Sequence, residues 1–317
     1  MNPERDDARE IPVLTPTTFP LVSMMTEPGR IDAGSMLVPI VSGVLVVVSA
    51  GINSVTSPCA ICKLFSPAIA TTTCPSVGSP FDIGAGTHEI FAAVVVAGDW
   101  HAHDGSPSEI FDNSRRDVTK DLLAVGFSKD NVQQFSVRPE RYPAVAAGFS
   151  DSQSIANALW DLSNRTGAGC LVYFSSHGSR DGLVLGDATL SPASLKAMLN
   201  NTCSDRPMVV IISACFSGVF VAPLEAPNRM VLTAARADRS SFGCGQGDKY
   251  PYFDQCVLSS WPASSNFPGL ARAVQACVAA REKKERMAPP SKPQLWIGSA
   301  AAKSLPGWGP AAPAKAG

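Results

Sequence analysis

The chain has almost no net charge. Its 26 Lys and Arg nearly balance 27 Asp and Glu, leaving −1, and the longest charged run, "REKKER" at 281–286, mixes both signs. A surface that tracks phosphates needs clustered cations, so nucleic acid is not expected as a partner. Histidine is equally scarce. The four, His88, His101, His103 and His177, are too scattered for a zinc signature, and neither metal nor cofactor is expected. The nine cysteines leave at least one thiol unpaired. Cys59 and Cys62 form a lone C-x-x-C with Cys74 nearby, without a fourth ligand. They read as ordinary thiols or one local disulfide rather than a metal site.

Apolar residues are plentiful. At 317 residues and 45% hydrophobic, the chain has room for one large α/β domain with extensions, or for two small domains. Global disorder is therefore not expected. The most apolar run, "MLVPIVSGVLVVVSAGI" (36–52), carries no charge and is slightly short of the ~20 residues that span a bilayer. Val48-Ser49-Ala50 near its end is compatible with signal cleavage. The run lies far from Met1, so either translation starts at Met24, Met25 or Met36, or the segment is an uncleaved anchor. Residues 53–86, rich in Ser, Thr, Pro and Gly without a period, read as a linker. The expectation is export or membrane association through 36–52, with an N-terminal extension over 1–87. The alternative is a cytoplasmic protein that buries this run.

From residue 88 the pattern changes. "EIFAAVVVAG" (89–98) is continuously apolar and ends in glycine, as a fully buried parallel strand does. A helix over 109–125 follows, with Ile110, Ser114, Val118, Leu122 and Val125 on one face and Gly126 as a stop. "NVQQFSV" (131–137), "CLVYFSS" (170–176), "MVVIIS" (208–213), "RMVLTAA" (229–235) and "PQLWIG" (293–298) read as further strands. Helices are expected around Ile155, Leu159 and Leu162, over 191–200 with Ser191 as cap and Pro192 in first position, and near 268–286. Alternating strands and helices predict a mostly parallel α/β sheet covered on both faces, spanning 88–300, with a loose tail over 301–317.

Ligands of such sheets bind beyond the carboxyl ends of the strands. His177 follows the strand 170–176, and Cys215 follows the strand 208–213. One crossover joins those strands, so both side chains emerge at the same sheet edge from neighbouring strands. Cys215 alone would read as a small buried hydrophobe; beside a histidine it reads as a nucleophile. An imidazolium nearby lowers the thiol pKa, and the same imidazole can protonate a leaving amine. Gly178 allows a backbone N–H to approach a developing oxyanion, or simply serves a turn that needs positive φ.

"LVYFSSHGS" and "VVIISACFSG" together resemble the legumain-type cysteine peptidases, relatives of the caspases, where a His-Gly and an Ala-Cys-x-Ser-Gly follow successive strands. "VLTAARADRSSFGC" (231–244) resembles that family's Thr-Ala-Ala segment and Ser-Ser substrate strand, and "SKPQLWIGS" the final strand of bacterial members. The resemblance covers roughly 89–299 and implies a caspase-like three-layer sandwich and a peptide or protein substrate. It implies Cys215 as nucleophile, His177 as general acid/base, and oxyanion donors at Gly178 and Cys215. It further implies substrate contacts at Ser240 and Ser241. "FDNSRRD" resembles an Asn-x-Arg segment, in which Asn113 orients the imidazole and Arg115 lines the pocket. Asn113 equally suits a helix cap, and Arg115 a solvated helix position. Asp254 resembles the pocket acid.

Two departures bear on specificity. Ser213 stands where legumains have a glutamate, and Ser176 where they have an aspartate. The reading is a thiol endopeptidase that cleaves after Asn or Asp. The alternatives are a transpeptidase or ligase on the same scaffold, and a catalytically silent caspase-like binding domain.

Overall fold

The structure, a computed structural model, describes residues 91–308. The run 36–52, the linker, the Cys59, Cys62 and Cys74 group, His88 and residues 309–317 lie outside the described residues.

Seven strands form one sheet: β1 (Phe91–Ala97), β2 (Val132–Ser136), β3 (Gly148–Phe149), β4 (Gly169–Ser175), β7 (Met208–Ser213), β8 (Arg229–Thr233) and β9 (Gln294–Ile297). Their order is β3-β2-β1-β4-β7-β8-β9, with every neighbouring pair parallel except the antiparallel β8–β9. A hairpin of β5 (Leu183–Leu185) and β6 (Ala188–Leu190) interrupts the crossover from β4 to β7.

Strand alternation divides the apolar residues between two cores. On one face, Val94, Val172 and Val210 meet α2 (Ser152–Arg165) and α3 (Pro192–Thr202) through Ile155, Leu159, Leu195 and Leu199. On the other, Val95, Leu171 and Ile211 meet α1 (Ile110–Ala124), α5 (Tyr252–Ser260) and α6 (Phe267–Glu285) through Leu122, Phe253 and Val274. The result is the expected three-layer sandwich. A short helix, α4 (Val221–Leu224), leads into β8, and another, α7 (Ala301–Ser304), follows β9.

Local chemistry starts the helices where the sequence marks them. Ser191 caps α3 by accepting the Ser194 N–H at 3.1 Å, and Pro192 occupies its first turn. Asp151 and Asn266 do the same for α2 and α6, at 2.8 and 2.7 Å. Residues 301–308 do not form the loose tail expected over 301–317. Trp308 is buried, stacked on Trp261 with ring centroids 5.8 Å apart and edge-on to Phe267 at 4.9 Å, because the adjoining aromatics offer it an apolar wall. Among the described residues no helix is long and apolar enough to cross a membrane.

Among the described residues four cysteines are paired. Cys170–Cys203 ties the start of β4 to the end of α3, and Cys256–Cys277 ties α5 to α6. Cys215 and Cys244 are free. The second bridge closes a loop of 21 residues, for which chain entropy gives roughly 3 kcal/mol. Replacing both Cys256 and Cys277 by Ser should lower unfolding stability by about 2–4 kcal/mol in urea titrations. An unchanged urea midpoint would contradict this role for the bridge.

Candidate active site

The site begins with one strand pair. β4 and β7 are adjacent and parallel, with Ser175 opposite Ser213 at their carboxyl ends. Two residues beyond that pair stand His177 and Cys215. Both line a cleft of about 410 Å³, whose other walls are His103 and the segment Ser240–Gly245.

His177 is oriented by a main-chain group. Its Nε2 lies 3.1 Å from the His101 carbonyl oxygen. A carbonyl can only accept, so Nε2 carries the proton and Nδ1 keeps the basic lone pair. Phe111 stands edge-on to the imidazole, with centroids 5.0 Å apart. Asp99 shapes the loop that presents the carbonyl. Its Oδ1 accepts from Trp100 N–H at 2.6 Å, His101 N–H at 3.0 Å and His101 Nδ1 at 2.7 Å.

Gly178 is a close-approach glycine, not a positive-φ turn glycine. A Cβ there would lie 2.5 Å from the Cys215 carbonyl oxygen and 2.9 Å from Ala214 Cβ. It bridges to Leu183, with Val184 N–H donating to His177 and Ser179 N–H to Gly182 on either side. That pattern makes Gly178 a non-hydrogen-bonded position, so its own N–H stays available.

Cys215 sits on a sharp corner. Phe216 adopts left-handed φ of 56°, which costs a non-glycine residue about 1 kcal/mol or more. Its N–H is held by the Arg239 carbonyl at 2.8 Å. Gly218 lets the corner pack, since a Cβ there would meet Ala237 N at 2.3 Å. The Cys215 thiol accepts the Ser241 N–H at 3.3 Å and points its proton toward the Ser241 carbonyl at 3.6 Å. Burial pushes this thiol above its ordinary pKa, against the lowering that hydrogen bonds from Ser241 and Ser240 supply. The imidazolium lowering expected from the Cys–His pairing is not among the influences on this thiol. The neighbouring Cys244 thiol is pushed up too, by burial first and by Cys215 second.

Ser240 and Ser241 stand in the cleft wall, where the sequence places them. Four other residues do not reach it. Asn113 is neither cap nor imidazole partner: it lies inside α1, donates to the Lys249 carbonyl at 3.2 Å and accepts from Arg116 at 3.0 Å. Arg115 is only 1% exposed, paired with Asp112 at 2.8 Å, bonded to Gln134 at 2.5 Å and stacked on Tyr142 at 4.5 Å. Burial of that pair raises the Asp112 pKa even beside the guanidinium. Asp254 is fully buried beneath the strand ends. Its Oδ1 accepts from the Tyr173 hydroxyl, and its Oδ2 from Ser175 and Ser213, each at 2.8 Å. Ser213 is thus turned inward to Asp254 rather than toward a substrate.

A family model, described as the Peptidase C13 family, matches residues 91–276. The chain belongs to the Peptidase C13 family. It is accordingly a cysteine peptidase, a hydrolase of the legumain family. No curated protein matches it. Among solved structures, a caspase-1 from Spodoptera frugiperda is similar at 14% identity and a TM-score of 0.48, covering 68% of this chain and 89% of that one.

The groups that sequence reasoning missed in this C13 member are Asp99, the His101 carbonyl, His103 and Cys244. The first three occupy "DWHAH", directly after β1 and so at the sheet edge where the chemistry was sought. The rule that placed His177 and Cys215 would have found them.

Burial raises the Asp254 pKa to about 6, although Tyr173, Ser213, Ser175 and Ser114 all favour the carboxylate. A carboxyl whose folded pKa is raised contributes stability that is full below its unfolded value and lost as pH rises through the folded one. Between about pH 4 and pH 7, wild-type stability should fall relative to Asp254→Asn by up to roughly 3 kcal/mol. Paired urea titrations across that range check it. Parallel stability curves for the two proteins would contradict it.

Proposed function

We propose that the protein is an endopeptidase that cleaves peptide bonds through Cys215, His177 and a thioacyl-enzyme. One observation carries the reading: the paired ends of β4 and β7 set both residues in a single cleft, with His177 Nε2 fixed on the His101 carbonyl and Nδ1 left as the base.

The steps follow from that arrangement. The resting thiol is protonated because burial disfavours its charge. Nδ1 takes the thiol proton as Sγ attacks the scissile carbonyl carbon, and the carbonyl electrons move onto oxygen. The N–H groups of Gly178 and Cys215 are the donors for this oxyanion, as the family resemblance implies. Collapse breaks the C–N bond, and the imidazolium gives its proton to the leaving amine. Water then attacks the thioester, Nδ1 accepting its proton, and the carboxylic acid departs as Cys215 regains its hydrogen.

Specificity follows from the cleft wall. Arg115 and Asp254 face away from it, so a pocket built on one positive and one negative side chain has no basis here. The lining offers hydroxyls, backbone groups and the imidazoles of His103 and His177. A neutral hydrogen-bonding side chain such as asparagine suits these groups. A buried lysine or arginine would lack a countercharge, at a cost of several kcal/mol.

We also propose export or anchoring through 36–52. Support comes from the two disulfides, which persist in oxidising compartments and are rare in the cytosol. Fractionation of cells producing the full chain should place it outside the cytoplasm, whereas a version starting at Glu89 should remain within. Full chain found wholly in the soluble cytoplasm would reject this.

Turnover of a peptide library, read by product mass, tests the mechanism. Cys215→Ala and His177→Ala should each abolish it while leaving the fold nearly intact. The double variant should be no worse than either single one, since the pair acts as a unit. Cleavage after neutral residues should exceed cleavage after Lys or Arg at least about tenfold. Most activity surviving in Cys215→Ala would sink the mechanism, and products longer than the substrate would reassign it to transfer.

A further inference from the structure

Asp254 is a buried acid that no step above uses. Its position is unusual. One carboxylate oxygen accepts from both Ser175 and Ser213, and these two serines face each other across β4 and β7. Each stands two residues before a reacting side chain, His177 in one case and Cys215 in the other. The second oxygen is held by Tyr173, also on β4. The carboxylate thus ties together the two strand ends that carry the chemistry, from beneath, on a helix of its own.

We propose that Asp254 is a positioning residue: its ionised carboxylate, bridging Ser175 and Ser213, holds the turns bearing His177 and Cys215 in register for proton transfer and attack. This rests on the Cys215–His177 reading of the site.

The chemistry gives the ionised form its role. A carboxylate accepts from all three hydroxyls at once. When protonated it must donate, so one hydroxyl has to turn round and give up its bond. The titratable groups facing it are Tyr173 from β4 and Cys244 from the cleft wall, with Asp121 of α1 acting on Tyr173. Ser114 of α1 also bears on the carboxylate. Neither Tyr173 nor Cys244 ionises below neutrality, since burial raises both. Burial raises both Asp254 and Asp121 to about 6, and of the two Asp254 is the one bonded to Ser175 and Ser213. A purely structural acid would show in stability alone. A positioning acid shows in kcat, because misplacement of reacting groups by an ångström can cost on the order of 100-fold.

The test uses the full chain, a peptide that the wild type cleaves, and iodoacetamide as a probe of Cys215 that needs no substrate. In Asp254→Asn, kcat should fall about 10- to 100-fold with KM within about threefold, at a melting temperature no lower than wild type at pH 7.5. The acid limb of log kcat against pH should lose one proton, its slope falling by about one. The pH dependence of alkylation at Cys215 should lose the same step. Wild-type kcat and an unchanged acid limb in a folded Asp254→Asn would overturn the proposal. Should that variant fail to fold, Ser175→Ala/Ser213→Ala decides: a comparable fall in kcat is expected, and wild-type kcat would overturn it. The control separates the two readings. If Cys215→Ala still cleaves the peptide, the dyad fails. If it is inactive while the Asp254 variants are fully active, only the role of Asp254 fails.

Discussion

Everything at the site depends on the parallel pairing of β4 with β7. Its register, running from Cys170 opposite Met208 to Ser175 opposite Ser213, decides that the residues just beyond each strand share an edge. Both strands are buried on both faces, so their apolar side chains leave little freedom to slip: one residue of shift would exchange the two faces. The cores that enforce this register are the ones that make the sheet stable. Cys170–Cys203 adds a covalent tie at the opposite end of β4, where the crossover helix arrives. The shared edge of His177 and Cys215 is thus a by-product of where two hydrophobic strands stop.

Electrostatics takes a second, subtler part. The cleft holds a thiol whose charge burial disfavours and an imidazole that a main-chain carbonyl orients. A carbonyl partner fixes the tautomer without adding a charge, in contrast to a carboxylate, which would also stabilise the imidazolium. In the proposed mechanism the proton therefore moves during attack rather than before it.

The elements most legible in the sequence are those whose residues obey a single demand. "FAAVVVA" and "MVVIIS" are buried on both faces and read as continuous apolar runs. Ser191-Pro192 reads as a helix start because both residues answer the same unsatisfied amides. His177 and Cys215 are legible because topology, not motif, brings them together. "PQLWIG" was legible as a strand but not its antiparallel direction, and the β5–β6 hairpin was not apparent, since three-residue strands leave no period to count. Arg115 and Asp254 show why the rest failed. A charged side chain in a helix carries no mark of which way it faces, and a motif match supplied a direction that packing does not allow. The signal for Arg115 was Asp112 three positions earlier, the spacing of an ion pair on one helix face. The partner of His177 had no side-chain signal at all, because it is the backbone of His101.

Asp254 brings these threads together. A fully buried carboxyl with a pKa near 6 means that the fold spends stability to keep a charge at neutral pH. Three hydroxyl donors reduce that cost without cancelling it. Replacing the cluster with apolar residues of similar volume would remove the cost, as it often does for buried charges. What apolar packing cannot supply is direction. Hydrogen bonds at 2.8 Å constrain Ser175 and Ser213 in angle as well as distance, whereas dispersion contacts tolerate sliding. The proposed mechanism, in which Sγ and Nδ1 must meet a substrate carbonyl in one geometry, needs the directional constraint. The strand pair brings Cys215 and His177 to the same edge, and the buried acid beneath it is bonded to both strand ends.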